Sequence, residues 1–150
     1  MTKNRLSHVA LILDGNKRWA KKNNIQNFNG YQKGFENIKN IIDYSFSHKI
    51  KYLTLFTLSS ENFNRPSIKI IYELIYKNFN KLFEELIKKK NIKINIFGNR
   101  ENLPTKIINI FEKAEDYKND DIILTINLAF NYGFKDEVKN VLKKFNDKVN

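Results

Sequence analysis

The amino-acid sequence predicts an α/β fold, a mostly parallel sheet flanked by helices. Short runs rich in isoleucine, leucine and valine alternate along the chain with longer segments of helical period. Strands of this composition, separated by helices, favour parallel pairing through right-handed crossovers. With 150 residues, 41% of them hydrophobic, the chain can bury one core. Ligands of such sheets bind where strand carboxyl ends meet helix N-termini, so functional residues are expected at that edge.

Strands and helices are predicted in strict alternation. The strands span residues 8–13, 52–58, 92–97 and 122–130. The helices span residues 31–48, 67–89, 104–117 and 135–145. No linker and no repeat divides the chain, so residues 1–150 are expected to form a single domain. That domain is expected to be incomplete, because the sequence stops just after the fourth strand and helix.

The predicted helix at 67–89 has the clearest apolar stripe. Pro66 and Ser67 are start signals at its N-terminus. The residues that share one face are Ile71, Leu74, Ile75, Phe79, Leu82, Phe83 and Leu86. A stripe at helical spacing usually packs into the core, and the alternative is a lining for a long apolar ligand.

Composition narrows the classes of function. The chain has no cysteine, which excludes disulfides, thiolate metal sites and cysteine nucleophiles. It has no apolar run of about 18 residues and no signal-peptide cleavage site, which favours a cytoplasmic protein. The net charge of +11 comes mainly from dispersed lysines and favours a solvated basic surface. A basic nucleic-acid-binding domain is the remote alternative, and no known binding motif supports it.

The first candidate motif follows the first predicted strand, at the start of a helix. Its residues are Asp14, Gly15, Asn16, Lys17, Arg18 and Trp19. Backbone amides at a helix N-terminus can bind phosphate oxygens. The Arg18 guanidinium can bind a phosphate in a bidentate manner, through two hydrogen bonds. Asp14 can hold a hard cation such as Mg²⁺ against a diphosphate. Trp19 could stack over an apolar substrate or anchor the core. Taken alone, Asp-Gly-Asn is also a common turn.

The second candidate motif is the polar segment at 59–66, which follows the strand at 52–58. In a parallel sheet this loop can open on the same edge as Asp14. Ser59, Ser60 and Asn62 can supply neutral hydrogen-bond donors and acceptors. Arg65 can supply a second cation, and Phe63 an apolar wall. Neither motif has the glycine spacing of a P-loop or a Rossmann fingerprint, so nucleotide binding has no support.

Together the two motifs resemble the N-terminal signatures of cis-prenyltransferases of the undecaprenyl diphosphate synthase type. The segments are HVALILDGNKRWA at 8–20 and TLSSENFNRP at 57–66. INIFGN at 94–99, the turn at 103–104 and LTINLAFNYG at 124–133 follow in the family's order and spacing. The resemblance covers almost the whole chain and implies the family's fold, lacking its C-terminal part.

The resemblance implies cis-prenyl transfer. Isopentenyl diphosphate would condense with an allylic diphosphate such as farnesyl diphosphate to give a polyprenyl diphosphate. Asp14 would be a catalytic residue that binds Mg²⁺ and helps the allylic diphosphate leave, and Asn62 would assist proton removal from isopentenyl diphosphate. The implied substrate-binding residues are Gly15, Asn16, Lys17, Arg18, Trp19, Ser59, Ser60, Glu61, Phe63 and Arg65. The long apolar helices would wall a tunnel for the product.

The chain departs from the family pattern at several positions. Lys17 stands where the family usually has glycine, Asn27 where it has arginine, Tyr31 where it has histidine, and Phe134 where a second glycine follows Gly133. Replacing an arginine by Asn27 removes one diphosphate contact, and Tyr31 offers a phenol hydroxyl in place of an imidazole.

The family's C-terminal Arg-x-Gly segment has no counterpart in this sequence. The chain is therefore expected to be a fragment, a degraded form, or a subunit that borrows those groups from a partner in a homodimer or heteromer. Prenyl transfer is the leading hypothesis, and a non-catalytic diphosphate-binding subunit is the alternative. The resemblance also implies a soluble protein or one in peripheral contact with the membrane.

Overall fold

A parallel sheet forms the centre of the computed structural model, which describes residues 6–88, 91–117 and 120–149. Its strands are β1 (His8–Ile12), β2 (Tyr52–Ser59), β3 (Ile92–Phe97) and β4 (Leu124–Tyr132). The strands lie in the order β1-β2-β4-β3, and every neighbouring pair is parallel. The predicted α/β fold is confirmed, and the strand bounds differ from the predicted ones by at most two residues.

Helices connect the strands. They are α1 (Asn16–Lys22), α2 (Asn27–Ser47), α3 (Ile68–Phe83), α4 (Thr105–Glu115) and α5 (Phe134–Val149). A 3-10 turn at Ser60–Asn62 follows β2, and α3 continues into a wider π-helical turn at Glu84–Lys88. The predicted end of that helix, Lys89, lies outside the described residues. In the part of the chain that is described, no helix has both the length and the apolar character needed to cross a bilayer.

The helix predicted at about 31–48 corresponds to α2, which begins four residues earlier, at Asn27, and ends at Ser47. The polar stretch before Tyr31 has weak helix propensity, so its helical state depends on packing against α1. Gly30 makes that packing possible. A Cβ on Gly30 would lie 2.6 Å from the Asn16 carbonyl oxygen and 2.7 Å from the Ala20 Cβ. The close approach of the two helices therefore requires glycine at this position.

The core lies between one face of the sheet and helices α2, α3 and α4. Successive strand residues alternate between this face and the opposite one, which we call the second face. Buried strand residues on the core face are Leu53, Leu55, Ile92, Ile94, Leu124 and Ile126. From the α3 stripe, Leu74, Ile75, Phe79 and Leu86 are buried, and Ile71 and Leu82 pack against the core. The expected core role of the stripe is confirmed for these residues.

The second face carries a chain of side-chain hydrogen bonds that joins all four strands. His8 Nε2 lies 2.8 Å from Thr54 Oγ1, and Asn127 Nδ2 donates to the same hydroxyl at 3.2 Å. Asn95 Nδ2 donates to Asn127 Oδ1 at 3.0 Å. Because each polar side chain has a partner, these residues cost little when they are partly buried in the sheet.

A tyrosine at the end of β4 links the sheet to α5. The hydrogen bond between Tyr132 and Glu137 raises the pKa of the phenol, because the neutral form donates to the carboxylate. This stabilisation is fully present below the ordinary tyrosine pKa of about 10 and is lost as the pH rises through the raised value. We expect α5 helicity, measured by circular dichroism, to fall in that window. The fall should be absent in Tyr132→Phe, and an equal fall in that variant would contradict the assignment.

Candidate active site

The two polar loops open on the same edge of the sheet, as predicted. Strand β1 pairs with β2 in register, and the backbone N–H of Leu13 donates to the Phe56 carbonyl at 2.9 Å. Parallel neighbours end at the same edge, so the loops after Leu13 and after Ser59 face each other. Both loops line one cleft of about 800 Å³.

Asp14 is held in this cleft by its own loop. The Gly15 N–H donates to Asp14 Oδ1 at 2.5 Å, and Arg18 donates to Asp14 Oδ2 at 3.0 Å. Gly15 has a φ of +95°, a conformation that side chains rarely adopt, so glycine is needed to turn the chain here. The side chains of Arg18 and Asp14 are 80% and 74% exposed. An ion pair this exposed is weak, so Arg18 can exchange the carboxylate for an incoming anion.

The cleft lining carries more positive than negative charge. Its charged residues are Asp14, Lys17, Arg18 and Arg65. Ser59, Asn62, Ser67 and Asn27 add neutral donors and acceptors. Three cations beside one carboxylate favour an anionic ligand, and the arginines can bind phosphate oxygens in a bidentate manner.

Most, but not all, of the predicted site residues line this cleft. The lining residues among them are Asp14, Gly15, Asn16, Lys17, Arg18, Ser59, Asn62 and Arg65. The predicted residues outside the lining are Trp19, Ser60, Glu61 and Phe63. Trp19 is 45% exposed on α1, Phe63 packs against the core, and Glu61 is exposed. Ser60 lies instead against the end of β4, where a Cβ on Gly133 would come within 2.1 Å of its hydroxyl.

Helix α2 contributes lining residues that were not among the predicted site residues. Asn27 and Tyr31 both line the cleft, and Tyr31 also lines the apolar cavity behind it. A sequence signal was present, because the resemblance predicted other residue types at both positions. Their place in the cleft depends on the α1–α2 packing, which sequence spacing alone does not reveal.

Behind the cleft lies an apolar cavity of about 340 Å³. Residues that line both spaces are Ile12, Leu13, Asp14, Asn16, Tyr31, Thr57 and Ile71. The cavity extends between α2 and α3 along Ile38, Ile41, Leu74, Ile75, Phe79, Leu82 and Leu86, and its lining includes Phe111 and Phe130. The α3 stripe is thus both part of the core and part of a cavity wall. A polar, cationic cleft that opens into an apolar cavity suits a ligand with an anionic head and an apolar tail.

Asp14 is the candidate metal ligand. Among the described residues, no group of three or more histidine, cysteine, aspartate or glutamate side chains could enclose a metal ion. Mg²⁺ nevertheless fits the site, because it commonly binds through one or two carboxylates together with substrate phosphates and waters. Asp14 is the carboxylate in the described cleft lining, so it would hold the ion with oxygens of the ligand.

Comparison with known proteins gives concordant matches. Residues 12–150 match the family model of undecaprenyl diphosphate synthases. Over an alignment of 133 residues, 87% of this chain, it is 35% identical to an isoprenyl transferase of Thermotoga maritima. It is 38% identical over 138 residues to an isoprenyl transferase of Clostridium acetobutylicum, covering 91% of this chain. The crystal structure of lavandulyl diphosphate synthase from Lavandula x intermedia, in complex with dimethylallyl diphosphate, superposes with a TM-score of 0.89 at 28% identity.

The chain spans only part of each of these proteins. It covers 57% of the Thermotoga protein, 53% of the clostridial protein and 63% of the lavandulyl diphosphate synthase chain. The same superposition covers 97% of this chain. The match therefore includes nearly everything present here, while more than a third of the related chains lies outside it.

Proposed function

Because the chain belongs to the undecaprenyl diphosphate synthase family of prenyltransferases, we propose that it provides the allylic diphosphate site of a Mg²⁺-dependent cis-prenyltransferase. The reaction is the condensation of isopentenyl diphosphate with an allylic diphosphate to give a polyprenyl diphosphate. The proposal extends to Asp14 as the essential carboxylate and to residues 1–150 as one incomplete domain of that enzyme.

The observation that carries the proposal is the continuity between the cationic cleft and the apolar cavity. A prenyl diphosphate has the same division, with a multiply charged head and a hydrocarbon tail. In the proposed complex the head binds beside Arg18 and Arg65, which line the cleft, and the tail lies in the cavity between α2 and α3. Burial of the tail contributes about 25 cal/mol per Å² of apolar surface, and the head sets its orientation.

The proposed chemistry follows from this placement. Arg18, Lys17 and the backbone amides after Gly15 bind the diphosphate and stabilise the charge that grows on it as it departs. Mg²⁺, when bound at Asp14, neutralises part of the same charge. Asn62 assists removal of the proton from the condensing isopentenyl unit. The apolar cavity keeps water away from the allylic carbon, which protects it from hydrolysis.

The complete reaction needs groups beyond this chain. We propose that isopentenyl diphosphate binds against residues supplied by the part of the family domain that the chain does not span, in a homodimer or a heteromer. We also propose a cytoplasmic location with peripheral contact to the membrane, since the apolar product partitions into lipid. These are expectations from the family and from the chemistry of the product.

The test is a comparison of binding and turnover. Isothermal titration of the chain with dimethylallyl diphosphate should show binding that tightens when Mg²⁺ is added. Incorporation of labelled isopentenyl diphosphate should require a chain that supplies the remaining part of the domain. Failure to bind dimethylallyl diphosphate with Mg²⁺ present would refute the proposal at its first step.

A non-catalytic, diphosphate-binding subunit is the second candidate function. It is favoured by Asn27 and Tyr31, which line the cleft where the family usually carries an arginine and a histidine. This candidate predicts Mg²⁺-dependent binding of dimethylallyl diphosphate without product, even when a complementing chain is present. Product formation in the complemented assay would exclude it.

Restoring the family's arginine should strengthen diphosphate binding. Asn27→Arg places a guanidinium in the cleft, and a charge-assisted hydrogen bond contributes about 1.5 to 3 kcal/mol, which corresponds to at least about a tenfold gain in affinity for dimethylallyl diphosphate. The matched control is Asn40→Arg, on the exposed side of the same helix. If both variants gain equally, the effect is one of overall charge and the cleft assignment of Asn27 fails.

A further inference from the structure

Helix α1 lies in a segment that carries charge of one sign. Residues 15–35 contain no aspartate or glutamate, and their cations are Lys17, Arg18, Lys21, Lys22 and Lys33. The first four belong to α1 and are exposed. Helix α5, by contrast, mixes its lysines with the acidic residues Asp136, Glu137 and Asp147. Positive charge therefore accumulates along α1 without a carboxylate inside the helix.

The two lysines at the end of α1 have no carboxylate partner. In the part of the chain that the structure describes, no ion pair includes Lys21 or Lys22. The nearest acidic residue along the chain is Asp14, and it is already engaged by Arg18. Exposed cations without partners raise the local concentration of anions, so this helix favours an anionic partner.

The single tryptophan of the chain lies among these cations. Trp19 is 45% exposed and lies outside the cleft lining, although its neighbour Arg18 lies within it. Lys22 is three residues further on and therefore shares its side of the helix. Ile25, just after the helix, is 36% exposed. We call the exposed charged and apolar residues of this segment the α1 surface, which comprises Lys17, Arg18, Trp19, Lys21, Lys22 and Ile25.

Packing against α2 fixes the rotation of this short helix. Ala20 is fully buried, and a Cβ on Gly30 of α2 would lie only 2.7 Å from the Ala20 Cβ. Because Ala20 must face α2, the helix cannot turn Trp19 inward without losing this contact. The exposed indole is therefore a feature of the fold.

The carbonyl groups at the end of α1 are already bonded. The Trp19 carbonyl accepts from the Asn23 N–H at 3.0 Å and from Asn23 Nδ2 at 2.9 Å. The Ala20 carbonyl accepts from the Ile25 N–H at 3.0 Å. The last carbonyls of a helix usually depend on water, and removing that water is costly when they have no other partner. This helix end can therefore be covered by an apolar partner at little cost.

We propose that the α1 surface binds an anionic lipid bilayer, with Trp19 at the depth of the headgroups and Lys21 and Lys22 against their phosphates. Tryptophan is enriched at this depth because its ring is apolar and its N–H is polar. The proposal rests on the proposed function, which supplies an apolar product. Because Trp19 directly follows Arg18 of the cleft lining, the bilayer lies at the rim of the cleft. Product that leaves the cleft then enters lipid without crossing water.

Nucleic acid is the other polyanion that a cationic helix could bind. Proteins that bind single strands stack successive bases on several aromatic side chains along a groove. The α1 surface contains one aromatic side chain, Trp19, on a helix of seven residues. A bilayer requires only an interfacial aromatic residue with cations beside it, and its apolar layer also accommodates Ile25. The observations therefore favour lipid.

Because Trp19 is the only tryptophan, its fluorescence reports directly on this surface. The probe is a suspension of vesicles made of equal parts phosphatidylglycerol and phosphatidylcholine. We expect Trp19 emission to shift to shorter wavelength on binding, and lipids brominated on their acyl chains to quench it. Vesicles of phosphatidylcholine alone should bind at least about tenfold more weakly, and added salt should release the chain from the anionic vesicles.

Removing the two unpaired lysines tests the electrostatic part of the proposal. Lys21→Gln combined with Lys22→Gln should weaken partitioning into the anionic vesicles about 30-fold, because each lysine near such a surface contributes about fivefold. The matched control is Lys143→Gln combined with Lys144→Gln, an exposed pair on α5 that removes the same charge. The control should bind the vesicles as the parent does.

Four results would overturn the proposal. They are unchanged Trp19 emission with anionic vesicles, equal weakening by the two double variants, tighter binding of oligouridylate than of the anionic vesicles at the same salt concentration, and loss of vesicle binding when a complementing chain is present. The second would assign the binding to overall charge, the third to nucleic acid, and the last would mean that polypeptide covers the α1 surface.

Binding of dimethylallyl diphosphate separates this proposal from the proposed function. Lys21 and Lys22 do not line the cleft, so their double variant should bind dimethylallyl diphosphate with Mg²⁺ as the parent does. Intact ligand binding without vesicle binding would remove the α1 surface and leave the proposed function standing. Vesicle binding without ligand binding would refute the proposed function instead, and with it the reason given for the contact with lipid.

Discussion

Replacing Asp14 by asparagine is expected to abolish the Mg²⁺-dependent part of diphosphate binding. Asparagine keeps an oxygen that can accept from the Gly15 N–H, so the loop geometry should persist. It removes the charge that would hold the cation, and loss of a metal-binding carboxylate should weaken dimethylallyl diphosphate binding in Mg²⁺ by about 100-fold. Isothermal titration with and without Mg²⁺ measures the effect, and turnover in a complemented assay should fall to background.

The metal-free measurement makes this prediction specific. Without Mg²⁺, the Asp14 carboxylate repels the diphosphate and occupies Arg18 through their ion pair at 3.0 Å. Asp14→Asn should therefore bind metal-free dimethylallyl diphosphate at least as tightly as the parent. Asp116→Asn, at the exposed end of α4, is the matched control and should change neither affinity. Equal loss with and without Mg²⁺ would mean that Asp14 acts only on the fold of its loop.

The second large expected effect is on stability, at Phe111. Its side chain is 1% exposed and packs edge-on to Phe130, with ring centroids 5.2 Å apart, and against Phe79 at 6.3 Å. Phe111→Ala should lower the free energy of unfolding by about 3 to 5 kcal/mol, as is usual when a buried aromatic side chain is truncated. Domains typically have only about 5 to 15 kcal/mol of stability in total, so this loss is a large fraction.

Urea denaturation at constant temperature measures the change at Phe111. Phe145→Ala is the control, because Phe145 is 65% exposed on α5 and its truncation should change stability by no more than about 0.5 kcal/mol. A small effect at Phe111 would show that the three aromatic rings do not form a tightly packed centre. An effect at Phe145 as large as at Phe111 would mean that α5 is packed in the isolated chain.

The order of elements was predictable because it depends on local pattern. The leucines and phenylalanine of YLTLFTLS mark β2, and the isoleucines of IKINIF mark β3, almost to the residue, since a strand needs only a short apolar segment between turn signals. The helix boundaries before Tyr31 were not predictable in the same way. The residues at 23–30 have little helix propensity of their own, and their helical part forms because Gly30 packs against α1.

In the candidate site, too, the features that depend on local sequence were predictable and those that depend on packing were not. The motifs around Asp14 and Asn62 are contiguous in the sequence, and parallel topology alone predicts that their loops meet. Whether a given side chain enters the cleft is a question of orientation. Trp19, on α1, belongs to the first motif but lies outside the lining, while Asn27 and Tyr31, from α2, lie within it. Periodicity does not report which way a short helix such as α1 is rotated.

The sequence by itself determined the fold class, the family and the two loops, because each of these depends on short contiguous patterns of apolar and polar residues. Only the tertiary structure decided that the α3 stripe is both core and cavity wall, and that the cavity joins the cleft at Tyr31 and Ile71. It also decided that the Ile96 N–H of β3 is bonded by Glu115 of α4, and that β1 and β3 are the two edges of the sheet that the described residues form. These features depend on residues far apart in the chain, and their relative positions are set by packing and strand order, which no local pattern encodes.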